Sequence, residues 1–174
     1  MTGVGTSARD DDRDFRTFVH DQEPMLLRVA SLLTPDPGIA ADLVQTALTR
    51  TYSRWSRLRD QNPAAYARRI VVNANVDRWR RDRGRERLTD HVPERAADDV
   101  AEGVADRDAL ARAMADLTLA ERRVVALRFL VDLSEADTAA ELGLPLGTVK
   151  STTHRAVLKL RTSPHLHELT EGTP

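Results

Sequence analysis

Apolar residues return every three or four positions along most of the chain and nowhere alternate with period two, so the sequence predicts helices and no strands. Phe15, Phe18, Val19, Leu26, Val29 and Leu33 make a first stripe, with Pro24 placed to kink or interrupt it. Thr34-Pro35-Asp36-Pro37-Gly38 is dense in breakers and reads as a loop. A long helix follows from about Ile39 to Trp55, striped by Ile39, Leu43, Ala47, Leu48, Tyr52 and Trp55. Asn62-Pro63 has the form of an N-cap with proline at the first helical position. The helix after it carries Tyr66, Ile70, Val71, Ala74 and Trp79.

Beyond Arg87 the periodicity lapses, and Pro93 and Gly103 interrupt a stretch poor in large apolar residues. It resumes with Leu110, Ala113, Met114 and Leu117. Thr118 and Glu121 form a capping box for a helix holding Val124, Val125, Leu127 and Leu130. Ser134 and Asp137 open a short helix to Leu142, and Gly143-Leu144-Pro145 makes a tight turn. A last helix runs from Pro145 to about Leu160. The expected architecture is all-α: two small helical domains joined by a flexible linker. The expected boundaries are a disordered N-terminus over 1–13, a first domain over 14–87, a linker over 88–106, a second domain over 107–162 and a tail over 163–174.

Charge sharpens this division. The net charge is −1, yet the segment Arg50–Arg87 holds twelve arginines against Asp60, Asp77, Asp82 and Glu86, a local balance of +8. Leu88–Asp106 reverses the sign, with six acids and only Arg95. Leu142–Leu166 carries Lys150, Arg155, Lys159 and Arg161 and no acid. Two basic blocks around an acidic one point to a polyanionic partner. Composition removes other classes. The chain has no cysteine, so thiolate metal sites and disulfides within it are excluded. The acidic, polar start is unlike a signal peptide, and no apolar run approaches the roughly 20 residues of a membrane helix. A cytoplasmic protein without membrane insertion is expected.

Ser134 to Leu160 has the layout of a helix-turn-helix. Ala139-Ala140 would let two helices cross closely, and Gly143 supplies the turn. In the second helix Leu146, Val149, Thr153, Ala156, Val157 and Leu160 share one face. Thr148, Lys150, Ser151, His154 and Arg155 lie on or beside the other. That face is polar, basic and free of acid, which suits a helix in the major groove, where acids would repel phosphates. A plain helical hairpin with a solvated face has the same spacing; the missing acids favour DNA. In the first basic block, Trp55, Tyr66 and Trp79 are interleaved with arginines. They have the chemistry to stack on bases, but each lies near an apolar stripe, which favours core packing.

Three segments resemble one family. Ala41-Asp42-Leu43-Val44-Gln45-Thr46-Ala47-Leu48 is similar to the polymerase-docking helix of the extracytoplasmic-function (ECF) RNA polymerase sigma factors. Asn62 through Asn73, followed by Asp77-Arg78-Trp79-Arg80-Arg81, resembles their promoter-melting helix. Leu127-Arg128-Phe129, Leu133-Ser134-Glu135, Ala139 through Gly143 and Gly147 through Ser151 resemble their C-terminal domain. Order and spacing agree over about residues 14–162, and the nearest subgroup is the actinobacterial SigE-family factors.

The resemblance implies a sigma region-two domain, a region-four domain and no enzymatic activity or cofactor. Core RNA polymerase and promoter DNA are the implied partners, and whether an anti-sigma factor is another stays open. Asp42, Leu43, Val44 and Gln45 become polymerase contacts, with Thr46 standing where the family has glutamate. Ser56–Asn62 becomes the loop that holds the minus-ten element and a flipped base. Arg68, Arg69, Asn73, Arg78, Trp79, Arg80 and Arg81 become contacts to the opening strand. Thr148, Lys150, Ser151, Thr152, His154 and Arg155 take the recognition positions for the minus-thirty-five element. The acidic linker would thread the RNA exit path.

Two rivals remain. A stand-alone helix-turn-helix regulator fits the C-terminal half, but the N-terminal half resembles no receiver or ligand-binding domain. An enzyme acting on nucleic acid would need a site. His165, His167 and Glu168 lie in a Pro-flanked tail, and no Gly-rich phosphate loop or nucleophile–base pair is present. No metal site is expected.

Overall fold

The computed structural model describes residues 8–73 and 103–166, with side chains over 10–73 and 109–166. Among these residues all regular structure is helical. The chain divides into two compact units, Met1–Ala74 and Asn75–Pro174.

In the first unit α1 spans Ala8–Leu33, α2 Pro37–Tyr52 and α3 Trp55–Leu58, and a fourth helix, α4, covers 63–73 of the described residues. Pro24 sits inside α1 without ending it. The break after α1 comes from capping. Asp36 is extended and its Oδ1 accepts from the Ile39 N–H at 3.1 Å, with Pro37 at the first helical position. The helix expected from Ile39 therefore starts two residues earlier. It also stops earlier, at Tyr52. Ser53 and Arg54 make a turn, their N–H groups donating to Thr49 and Thr51 carbonyls, before α3 begins at Trp55. Asn62 Oδ1 accepts from the Ala65 N–H at 3.0 Å and caps α4 as the Asn-Pro pair predicts. The buried aliphatic residues are Leu26, Val29, Ala30 and Leu33 of α1, Ala40, Leu43, Val44, Ala47 and Leu48 of α2, and Ala67, Ile70, Val71 and Val72 of α4. Aliphatic burial on this scale is the main favourable contribution to folding.

The expected disorder of 1–13 is corrected for its described part, because α1 begins at Ala8. Arg59 donates to Asp11 Oδ1 at 2.6 Å and the Tyr52 hydroxyl donates to Asp12 Oδ1 at 2.7 Å. Phe15 packs against Tyr52 and Trp55, and Phe18 against Trp55, with ring centroids 4.8 to 5.2 Å apart. Two of its acids, Asp11 and Asp12, anchor it.

In the second unit α5 spans Gly103–Ala115, α6 Leu119–Val125, α7 Glu135–Leu142 and α8 Leu146–Arg161. The linker expected to end at 106 thus gives way to helix four residues sooner, despite Gly103. The capping box at α6 is present in both directions: Glu121 N–H donates to Thr118 Oγ1 at 3.3 Å, and Thr118 N–H to Glu121 Oε2 at 2.8 Å. After α6 the chain widens into a π-helical turn, Ala126–Leu130, closed by the Val131 N–H on the Ala126 carbonyl at 3.1 Å. Asp132 then takes a left-handed φ of 58°, and the Arg128 guanidinium donates to the Leu133 carbonyl.

Ser134 Oγ accepts from the Asp137 N–H at 3.0 Å and starts α7. Gly143 ends it at φ 64°, with the Leu144 N–H reaching back to the Ala139 carbonyl at 3.0 Å, a Schellman closure. Val124, Ala139 and Val149 form the core where α6, α7 and α8 meet, with Leu142 and Leu144 packed against it. Of the two alanines expected at the crossing, Ala139 is in that core and Ala140 is exposed. The expected tail boundary also shifts, since Ser163 is buried and 164–166 are helical.

Candidate nucleic-acid interface

Helix α8 presents its faces much as its periodicity predicts. At 100° per residue, Val149, Thr152 and Ala156 fall on one side, and these three are buried. Thr148, Lys150, Ser151, His154 and Arg155 are exposed. Thr152, expected among the recognition residues, is only 4% exposed and belongs to the packed face. Its Oγ1 instead accepts from Arg155 Nη2 at 3.3 Å, which steadies the base of an exposed guanidinium. Leu146, expected on the apolar stripe, is exposed.

The outer face is acid-free along α8, but α7 contributes an acid that the linear sequence does not reveal. Glu135 Oε2 lies 4.0 Å from Lys150 Nζ, a long contact on a largely exposed lysine. Lys159 is occupied elsewhere. Its Nζ donates at 2.8 Å to Glu121 Oε2, the same oxygen that closes the capping box. Burial raises the Glu121 pKa, but hydrogen bonds from Lys159 and Thr118, together with the lysine charge, outweigh it and hold the carboxyl below its ordinary value. Burial likewise lowers the Arg122 pKa. Arg122 Nε and Nη2 donate to the Leu117 and Ala115 carbonyls, satisfying the end of α5.

In the first unit the sequence-derived contacts split by burial. Asp42 and Gln45 are exposed on α2. Leu43 and Val44 are 5% and 1% exposed, so they are core residues that hold the helix and are not contact surface. The four positions are consecutive, and a helix turns 100° per residue, so they cannot all face one partner. Arg50, Arg54, Arg57 and Arg69 are exposed, and Arg68 and Asn73 half-buried. Arg78, Trp79, Arg80 and Arg81 lie outside the described residues, as do most of the acidic linker and residues 167–174. Trp55 is buried among Phe15 and Phe18, which settles it as a core residue. Tyr66 is half-buried. Its hydroxyl accepts from Arg54 Nη1 at 2.8 Å, with that guanidinium 5.7 Å from the ring centroid. The hydrogen bond to Asp12, followed by that residue's charge, raises the Tyr52 pKa and keeps the phenol a donor. Among the described residues no cluster of three acids or histidines could hold a metal ion.

Two helical units, the second a helix-turn-helix with a basic outer face, define a modular DNA-binding protein. Comparison with known proteins is specific. Residues 10–85 match the Sigma-70 region 2 model, and residues 107–160 the Sigma-70, region 4 model. The chain is 44% identical over 149 residues to an RNA polymerase sigma-E factor of Streptomyces coelicolor, covering 85% of this chain and 84% of that protein. It is 32% identical over 167 residues to the ECF RNA polymerase sigma factor SigL of Mycobacterium tuberculosis, covering 92% and 94%. Among solved structures it resembles the Bartonella quintana sigma factor RpoE, crystallised in complex with the anti-sigma factor NepR. That match has a TM-score of 0.67 and 25% identity, over 93% of this chain and 99% of the other. The chain belongs to the sigma-70 family, as an alternative sigma factor of the ECF, sigma-E-like type that directs transcription initiation.

Proposed function

We propose that the two units divide the work of promoter use between them through surfaces that can be named. Asp42 and Gln45 of α2 contact core RNA polymerase, with Leu43 and Val44 setting their helix in place. Arg68, Arg69 and Asn73, continued by Arg78, Trp79, Arg80 and Arg81, take the strand that separates at the minus-ten element. Thr148, Lys150, Ser151, His154 and Arg155 read the upstream element in the major groove. The observation that carries this is the exposed, acid-free outer face of α8 on a region-four unit, in one chain with a region-two unit whose described arginines are largely exposed.

The protein performs no bond-making chemistry in this reading. It selects DNA for a polymerase that does, and it works in the cytoplasm, in keeping with the lack of any membrane-length apolar helix among the described residues. An anti-sigma factor is its antagonist in this reading, since the RpoE relative is crystallised with one. Reading two elements from linked units raises affinity through effective concentration. Each good base contact supplies about 1–3 kcal/mol of discrimination.

The test is a pair of variants assayed against both partners. Asp42→Ala with Gln45→Ala should weaken binding to core polymerase and leave upstream-element binding by the second unit intact. Lys150→Ala with Arg155→Ala should do the reverse. If the α8 variant binds the upstream element with unchanged affinity and sequence preference, the recognition face is misplaced.

A further inference from the structure

We propose that Arg59 is a phosphate-binding residue held in reserve by Asp11, so that the first turns of α1 restrain promoter opening until a DNA phosphate displaces the carboxylate. This rests on the reading above, in which Arg68, Arg69 and Asn73 of α4, the helix that follows the Arg59 segment, take the separating strand. Asp11 and Arg59 are 48 residues apart, yet Nη1 and Oδ1 lie 2.6 Å from each other. The Asp60 carboxylate is a second, looser neighbour, 3.6 Å from Arg59 Nε. A carboxylate on a guanidinium occupies the same donor geometry that a phosphate would use.

Three features make the exchange feasible. Both side chains are partly open to water, at 25% and 28% exposure, so a polyanion can reach the pair. Asp11 lies in the first turn of a 26-residue helix, where a released carboxylate stays favourably placed against the helix N-terminus. Arg59 also stands in the basic block of balance +8, whose exposed Arg54 and Arg57 already favour a polyanion. The neighbouring contacts, Asp12 on Tyr52 and Phe15 on Trp55, keep α1 in place when the Asp11 contact opens.

The experiment uses holoenzyme assembled from core polymerase and the full chain, at a promoter where it initiates. The open fraction is followed by permanganate reactivity across a potassium chloride series. Asp11→Asn should increase opening by up to about fivefold, the range of a partly exposed ion pair. It should leave the salt dependence as it is, because one Arg59–phosphate contact forms on opening in either protein. Arg59→Gln should lower the slope by about 0.7, the value for one phosphate contact on a single strand, and abolish the Asp11→Asn gain. Asp12→Asn makes the same charge change on Tyr52 and should leave opening unaltered. Unchanged or weaker opening with Asp11→Asn, or an equal gain in the Arg59→Gln background, overturns the proposal. Wild-type holoenzyme that opens no promoter would instead remove the reading on which it rests.

Discussion

Removing the Glu121 carboxylate should unfold the second unit at a distinctly lower temperature. One oxygen, Oε2, accepts from the Thr118 N–H, the Thr118 hydroxyl and Lys159 Nζ, at 2.8, 3.0 and 2.8 Å. It therefore ties the start of α6 to the last turns of α8, across the helices that carry the Val124–Val149 core. Glu121→Ala keeps the residue-121 N–H on the Thr118 hydroxyl but strips the Thr118 N–H of its acceptor, at about 1 kcal/mol. Losing the charge-assisted bond to Lys159 adds about 1 kcal/mol more. That value lies below the usual range for such bonds because the lysine is 45% exposed and can return to water. Glu121→Ala should thus destabilise the unit by about 2 kcal/mol and lower its melting temperature by about 10 °C. The assay is thermal unfolding of the full chain followed by circular dichroism. Glu121→Gln keeps an acceptor for the cap and should lose about half as much. Because the folded carboxyl titrates below its ordinary value of 4.5, its contribution is fully present above that value. It is lost as the pH falls through the lower folded value, and the wild-type advantage over Glu121→Gln should shrink there. A change in melting temperature under about 2 °C for Glu121→Ala would refute the reasoning.

Other outcomes follow from the same geometry. Gly143 has a φ of 64° with open space where a Cβ would go, so Gly143→Ala should cost about 1 kcal/mol from backbone strain alone, measurable by urea unfolding. Arg155→Ala and Lys150→Ala should each weaken upstream-element binding and relax its sequence preference by about 1–3 kcal/mol at one position, both read by fluorescence anisotropy. Thr152→Ala, a change on the packed face, should lower stability without removing a base contact of its own, and thermal unfolding reads the loss. We propose that the acidic segment before α5 imitates a nucleic-acid backbone, so replacing Asp90, Glu94, Asp98, Asp99 and Glu102 by their amides should weaken holoenzyme assembly or alter release of early RNA. Unchanged assembly and release would dismiss that role.

The helices were legible because their stop and start signals are local. Asn62-Pro63, Thr118 with Glu121, Ser134 with Asp137 and Gly143 each act within four residues, and each does in the structure what its chemistry predicts. The outer face of α8 was legible for the same reason, since a period fixes which residues share a side. What a linear pattern could not carry was contact at long range. The anchoring of Asp11 and Asp12 was not legible because their partners, Arg59 and Tyr52, are 40 or more residues away. Lys159 counted toward a DNA-binding charge until Glu121 took it, 38 residues earlier in the chain. Leu43, Val44 and Thr152 were drawn in by resemblance to motifs that mix buried and exposed positions. A motif marks a segment, and burial decides which of its side chains a partner can touch.

The most direct measurement is transcription by purified core RNA polymerase from a genomic promoter library, with and without this protein. The expected result is tight association with core polymerase and a set of new start sites sharing two upstream elements at fixed spacing. Sequence-specific DNA binding by the protein alone, with no association with polymerase and no new start sites, would contradict it.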